Sequence, residues 1–228
     1  MRTDEAAANV IETLRPLRWL IVVVGVIVAI GASGIWRDMF IPLAIVSVAG
    51  QIVIYGRITA RLVDGRTSDS LQILKEHGRN AVVAKLLIIA PVFVLRLLMT
   101  QFEPSALEFI FLSAVGSAAV AVATIYVLPV VFLYRKSLGA FVAGIAYLRN
   151  HFEPVAWAAA VVAVAILFHS VGGYVFWRFR VPWSFVVLLA SGVLLTGGLA
   201  VAFSAALTVV LDGRRQVPEN NASEMGEE

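Results

Sequence analysis

A serine and a histidine are the residues of this chain whose types suit nucleophilic catalysis. Ser33 stands in a Gly-Ala-Ser-Gly string that closes the first long apolar segment, and His169 lies in the fifth. If both segments cross a membrane in the same direction, these two residues fall at similar depth. A serine becomes a nucleophile when a base lies within hydrogen-bonding distance and donors stabilise the oxyanion. The alternative is helix-packing sequence around Ser33 and a neutral His169 bonded to a neighbouring helix or to water.

The strings at residues 31–34 and 169–173 resemble motifs of the rhomboid intramembrane proteases, which use a serine in such a string and a histidine on another helix. The resemblance implies an intramembrane serine hydrolase with Ser33 and His169 as its catalytic pair. The chain departs from that family because the two residues lie four spans apart rather than two. The second apolar segment also offers only Ser47 and Gln51 as further polar side chains.

Two cations inside the third apolar segment form a second candidate site. Lys85 and Arg96 are eleven residues apart, which is almost three helical turns, so they share a helix face about 16 Å long. Such a face suits a pathway for anions or lipid headgroups, or a contact with a partner. Each cation is also near an end of its segment, so the alternative is that each side chain extends to the nearer membrane interface.

These residues lie in elements whose composition indicates a membrane protein. Of 228 residues, 60% are hydrophobic and 14% are charged, whereas a soluble domain is about half apolar and a quarter charged. A membrane-spanning helix needs about 20 mainly apolar residues. The chain is therefore predicted to be an all-α polytopic membrane protein, with one domain over residues 1–211 and an acidic, disordered cytoplasmic tail over 212–228. The six predicted spans are residues 19–36, 39–56, 81–100, 109–134, 154–177 and 183–209.

The distribution of Lys and Arg predicts the orientation of the spans. Outside the third segment, only Arg37, Arg178 and Arg180 fall in the loops of one side. The other side holds Arg2, Arg15, Arg18, Arg57, Arg61, Arg66, Lys75, Arg79, Arg135, Lys136, Arg149, Arg214 and Arg215. Because cytoplasmic loops are rich in cations, both termini are predicted to be cytoplasmic in a multi-pass protein of the cell membrane. The tryptophans support these spans by lying at or near segment ends: Trp19, Trp36, Trp157, Trp177 and Trp183.

Amphipathic stretches on the predicted cytoplasmic side suggest a repeated unit. Residues 4–17, 68–80 and 137–150 each precede an outward-running span and are predicted to lie as helices in the headgroup plane. The alternative is ordinary cytoplasmic loops with some helix. The unit of interfacial helix and helical hairpin would then occur three times, although positive-inside pressure alone also places an arginine at each junction.

Small residues predict where helices pack closely. The fourth segment carries Ser113, Ser117 and Ala121 at four-residue steps, and the sixth carries Gly198, Ala202 and Ala206. These faces could pack within the bundle or against other membrane proteins, which are the predicted partners together with the lipid bilayer.

The whole layout is similar to uncharacterised six-helix prokaryotic membrane families, including the membrane domain attached to some glycerophosphodiester phosphodiesterases. The likeness rests on paired spans with intervening amphipathic helices, and on the strings at 55–57 and 134–136. It implies a non-catalytic membrane module. No carboxylate falls at mid-membrane and the chain has no cysteine, so cation-coupled transport and thiol chemistry are disfavoured.

The sequence thus predicts a non-enzymatic membrane protein that organises lipids or partner proteins, without cofactor, metal or nucleic acid. A small transporter or substrate-binding membrane subunit is the second hypothesis, with Lys85 and Arg96 along its path. The intramembrane serine hydrolase is the third.

Overall fold

The computed structural model describes residues 3–34, 37–65, 68–101, 105–134 and 138–224, and this part of the chain contains no strand. Its α-helices are α1 Thr3–Leu14, α2 Arg18–Ser33, α3 Phe40–Asp64, α4 Ser70–Thr100, α5 Ala106–Ala123, α6 Val127–Tyr134, α7 Leu138–Asn150, α8 Ala156–Phe179 and α9 Pro182–Glu224. Six stretches are long and apolar enough to cross a membrane: Ala7–Ser33, Phe40–Asp64, Ser70–Met99, Ala106–Ala123, Glu153–Phe179 and Pro182–Gly213. The prediction of an all-α protein with six spans is confirmed. Residues used above that lie outside the described ranges are Arg2, Trp36, Arg66, Arg135 and Lys136.

Helix α9 forms the centre of the bundle and packs against α1, α2, α3, α6 and α8. One of its faces buries Phe203 and Leu207 in an apolar cluster with α2 and α3. Another face buries Ala202 and Ala206 in a cluster with α6 and α8. The small-residue face predicted for the sixth segment therefore packs inside the bundle. By contrast, α4 lies at the periphery and packs mainly against α3, α5 and α6.

The first and last spans meet through backbone contact at two glycines. A Cβ atom added at Gly25 of α2 would lie 2.5 Å from Cα of Val193 in α9. A Cβ atom added at Gly192 would in turn lie 2.8 Å from Cβ of Ala29. Both distances are far below van der Waals contact, so the crossing requires glycine on both helices.

The second predicted interfacial helix, over residues 68–80, is not separate from the span that follows it. Helix α4 begins at Ser70 and continues without interruption to Thr100, passing through Pro91. Its first turns pack on α3, where Ile73 is buried against Gly56. The prediction of a separate helix was wrong because α4 runs on without interruption into the span, with Ile73 packed against α3 and Leu71 exposed.

The fourth predicted span, over residues 109–134, is divided into α5 and α6 by a turn at residues 124–126. Pro129 has no backbone N–H, so the carbonyl of Ile125 loses the helical hydrogen bond it would otherwise accept. The amide of Val127 instead donates to the carbonyl of Thr124 at 3.0 Å, and the Thr124 hydroxyl donates to the carbonyl of Val120 at 2.7 Å. The break therefore lies one turn before the proline.

The first and third amphipathic stretches are separate helices, α1 and α7. A short 3₁₀ turn over Arg15–Leu17 joins α1 to α2, and Val10 of α1 is buried against α8 and α9. Helix α7 packs against α6. The middle unit of the predicted threefold repeat has no separate interfacial helix. The repeat itself stays a prediction. Helix α9 is described as far as Glu224, and the acidic, disordered tail over 212–228 stays a prediction.

Candidate functional site

Lys85 is directed into the bundle from α4. Its Nζ donates a hydrogen bond to Oε1 of Gln51 in α3 and lies 5.5 Å from the ring centre of Tyr55. An ammonium over an aromatic face is stabilised by the negative charge density of the ring. The side chain therefore has polar and aromatic partners on α3.

Tyr55 belongs to an aromatic cluster that joins α3, α6 and α9. Its ring stacks on Phe203 with centroids 4.4 Å apart, and Phe132 meets it edge-on at 6.1 Å. On the other side of Phe132, the His77 ring of α4 stacks at 4.8 Å. Aromatic contacts therefore run continuously from Lys85 to His77.

A cavity of about 410 Å³ opens beside His77 between α3, α4 and α6. This is the end of the bundle that also holds α1 and α7, and it is called the terminal end below. Phe132 and Gly56 line the cavity, together with the exposed carboxylates of Asp64 and Glu76. Nε2 of Gln72, another lining residue, donates to Oε1 of Glu76 at 2.9 Å. The cavity thus combines an aromatic wall with a polar mouth, a combination that suits a small polar ligand or a lipid headgroup.

A second, smaller cavity of about 90 Å³ lies on the other side of the aromatic cluster. Tyr55 and Phe203 line it, and the remaining lining residues are almost all aliphatic. Phe132, in contrast, lines the larger cavity. The cluster of Tyr55, Phe203 and Phe132 therefore lies between the two spaces.

Arg96, the other cation of α4, is paired with a different helix. Its Nε donates to Oγ of Ser113 in α5 at 2.6 Å. Ser113 is buried, and its carbonyl accepts the hydroxyl of Ser117 at 2.7 Å. The sequence placed Lys85 and Arg96 on one helix face, and the structure directs Lys85 to α3 and Arg96 to α5.

Ser33 and His169 are not hydrogen bonded to each other. The Ser33 hydroxyl donates to the carbonyl of Ile30 at 2.6 Å. Nδ1 of His169 lies 3.1 Å from Oγ of Ser191 in α9, and that hydroxyl donates to the carbonyl of Leu188 at 2.7 Å. A serine hydroxyl has a single hydrogen, so this geometry assigns the proton to Nδ1, which donates to Ser191.

Ser191 is the site residue that sequence reasoning missed. A Cβ atom added at Gly172 of α8 would lie 2.8 Å from Oγ of Ser191, so the missing side chain at 172 allows the two helices to approach. The signal in the sequence was a glycine beside the histidine segment and a serine beside Gly192 in the next span.

These contacts define a class of protein: a helical six-span membrane protein whose intramembrane cations and histidine hydrogen bond neighbouring helices. Among the described residues, no group of three or more His, Asp or Glu side chains is placed to hold a metal ion. No family model, curated protein or solved structure matches the chain. The resemblance to the membrane domain attached to glycerophosphodiester phosphodiesterases therefore stays a prediction.

Proposed function

We propose that this chain is a non-enzymatic integral membrane protein that organises lipids or partner proteins in the cell membrane. The observation that carries the proposal is the use made of the intramembrane polar groups. Lys85, Arg96 and His169 each hydrogen bond a side chain on an adjacent helix. A polar group used in this way joins helices in an apolar medium, where leaving it unsatisfied is costly. These interhelical hydrogen bonds therefore support a scaffolding role for the protein.

The cavity at the terminal end supports a role with lipids. Its aromatic wall and polar mouth lie where α3 ends and α4 begins, which are the ends of two spans. Headgroups occupy this depth of a bilayer. A lipid with a polar headgroup could therefore reach the mouth from the membrane without crossing the bundle.

Mass spectrometry of the purified protein tests this proposal. The protein would be extracted from cell membranes in mild detergent, next to an unrelated six-span protein purified in the same way. We expect one lipid class or one partner protein to be enriched several-fold over the control. Retained molecules that match the control and the bulk membrane would contradict the proposal.

The proposed orientation places both termini and the terminal end in the cytoplasm, on the strength of the cation distribution. The chain has no native cysteine, so single cysteines report accessibility without background. Asp38→Cys and Leu71→Cys replace exposed residues at opposite ends of the bundle. A membrane-impermeant maleimide should label position 38 in intact cells and position 71 only after permeabilisation. The reverse pattern would overturn the orientation.

A small transporter or substrate-binding subunit is the second candidate function. The observation that favours it is the pair of cavities on the two sides of the aromatic cluster. The rings of Tyr55, Phe203 and Phe132 separate the two cavities, so a path between them requires these rings to move apart. The assay is uptake of radiolabelled inorganic phosphate into proteoliposomes, with Lys85→Ala and Arg96→Ala beside the unmodified protein. Uptake that requires both cations would favour this function, and uptake unaffected by either change would remove the path.

A further inference from the structure

Lys85 places an ammonium group with unused donors in the third span. A lysine ammonium has three N–H donors and cannot accept a hydrogen bond. Among the residues that the structure describes, Gln51 accepts one hydrogen bond from it, and Tyr55 contributes the face of its ring. An aromatic face attracts the charge but is not a conventional acceptor. The other two N–H donors of Lys85 therefore have no acceptor in the described part of the chain.

The side-chain amide of Gln51 adds further donors at the same place. Its Oε1 accepts from Lys85, and its Nε2 donates to no atom of the described residues. Nε2 and Oε1 belong to one planar group, so Nε2 lies within about 5 Å of the ammonium nitrogen. Both side chains are only partly buried, where α3 packs against the peripheral helix α4. Two neighbouring groups thus present unused N–H donors at this contact.

The helices around Lys85 bring no carboxylate to it. The acid of α3 is Asp64, thirteen residues after Gln51, and the acid of α4 is Glu76, nine residues before Lys85. These separations are about 20 Å and about 14 Å along the helix axes. Helices α6 and α8 contain no acid, α5 has one in its first turn, and α9 has acids only beyond residue 211. The positive charge of Lys85 therefore has no counter-charge from these helices.

An anion can approach this place from the terminal end of the bundle. Arg57 lies six residues after Gln51, about 9 Å nearer that end, and its guanidinium donates to Oγ of Ser70 at 3.0 Å. The side chains of a helix are tilted toward its N-terminus, which for α4 is the terminal end. The tilt brings the Lys85 ammonium closer to the headgroups. Bilayers accommodate a charge at such depth by local thinning and by entry of water, and both bring anions within reach.

We propose that the Lys85 ammonium and the Gln51 amide form a binding site for one anion, which accepts N–H donors from both groups. A lipid phosphodiester and a free inorganic anion offer the same chemistry, namely negative charge and acceptor lone pairs, and a lysine binds either as a point charge. The inference goes beyond the proposed scaffold, which needs no ligand at Lys85. It also assigns a ligand class to the second candidate function.

Two substitutions exclude the anion by different routes. Lys85→Met removes the positive charge and the ammonium donors. Gln51→Glu keeps the length of residue 51 and its acceptor oxygen but supplies a carboxylate, so the protein itself neutralises Lys85 and the hydrogen bond between α3 and α4 is kept. The matched controls are Lys75→Met and Gln101→Glu, at exposed positions in α4 and directly after it. Circular dichroism and a monodisperse elution profile establish that each variant is folded.

The first arm of the experiment measures free anions. Each protein, depleted of lipid in a neutral detergent, is titrated with sodium chloride, and the broadening of the ³⁵Cl magnetic resonance line reports bound chloride. Sodium gluconate keeps the ionic strength constant. We expect the unmodified protein and both controls to broaden the line, and inorganic phosphate to reverse the broadening. Both site variants should lower the broadening by about tenfold or more, because the charged donor is removed or already neutralised.

The second arm measures lipid phosphates. Each protein is reconstituted in vesicles of phosphatidylglycerol and phosphatidylcholine, extracted mildly and analysed by native mass spectrometry. If the anion is a lipid phosphate, the unmodified protein and both controls should retain one phospholipid that both site variants lose.

A loss in both site variants supports the site in either arm, and the arm that shows it identifies the source of the anion. Chloride broadening and lipid retention that are equal in all the proteins would overturn the site. A loss in Lys85→Met with full binding in Gln51→Glu would overturn it as well, because a carboxylate at position 51 should displace the anion. Both negative results leave the enrichment of lipids or partner proteins, and so the proposed function, standing.

Discussion

Replacing Gln51 by leucine should destabilise the bundle because it leaves the Lys85 ammonium without its hydrogen-bond acceptor. A hydrogen bond to a charged group contributes about 1.5–3 kcal/mol, and that loss is expected here. The Tyr55 ring, 5.5 Å from Nζ, remains in place and keeps part of the stabilisation. The cost of Gln51→Leu should therefore fall within that range and not exceed it.

Lys85→Met should cost less than Gln51→Leu. Methionine is similar in length and flexible, so packing against α3 is largely kept, and no buried charge is left unpaired. The remaining cost is one interhelical hydrogen bond in an apolar medium, which is about 0.6–2 kcal/mol. In the double variant neither partner is present, so its stability should be close to that of Lys85→Met alone.

The assay is reversible unfolding of the four proteins in mixed micelles, titrated with a denaturing detergent and followed by circular dichroism. Gln101→Leu, at the exposed end of α4, is the matched control and should change the free energy of unfolding by less than about 0.5 kcal/mol. Because the double variant should cost no more than Lys85→Met, the expected coupling energy between positions 51 and 85 equals the cost of Gln51→Leu, about 1.5–3 kcal/mol. Strictly additive effects of Gln51→Leu and Lys85→Met would refute it.

Three further experiments test other parts of the structure. In the same unfolding assay, Gly25→Ala should destabilise the protein by about 1–3 kcal/mol, because the added methyl group meets the backbone of α9. The control Gly31→Ala should be nearly neutral, because the nearest neighbour of its Cβ atom is 3.8 Å away. Ser113→Ala should cost about 1 kcal/mol in the unmodified protein and less when Arg96 is already replaced by methionine; an equal cost in both backgrounds would mean that the 2.6 Å contact contributes nothing. A serine-directed fluorophosphonate should leave the protein unlabelled, and labelling that Ser33→Ala abolishes would establish the hydrolase instead.

The positions of the spans could be predicted because hydropathy acts over whole segments. The same averaging hides where one helix ends and another begins. Nothing in residues 68–80 marks them as part of α4, since the deciding contact of Ile73 with Gly56 joins two different spans. The break before α6 has a cause that can be read from the sequence, because Pro129 removes one specific hydrogen bond.

The polar candidates show the same limit more sharply. Helical spacing predicted that Lys85 and Arg96 share a face, but it could not say that their acceptors lie on different helices. His169 was recognised as an intramembrane polar group, whereas its partner Ser191 required knowing that α8 and α9 approach at Gly172. A hydrogen bond between two helices depends on how those helices pack against each other, and a single sequence does not reveal that packing.

Three polar side-chain pairs and one glycine crossing join different parts of the chain. The polar pairs join helices that follow one another: α3 with α4, α4 with α5, and α8 with α9. The backbone contact at Gly25 and Gly192 joins α2 with α9, the first span with the last. Closing a contact between distant segments costs more chain entropy than closing one within a hairpin. The polar pairs can therefore form as each hairpin forms, and the glycine crossing completes the bundle. On this reasoning Gly25→Ala should leave the hairpins helical but loosen the first span from the last, which cross-linking of cysteines placed on α2 and α9 would detect.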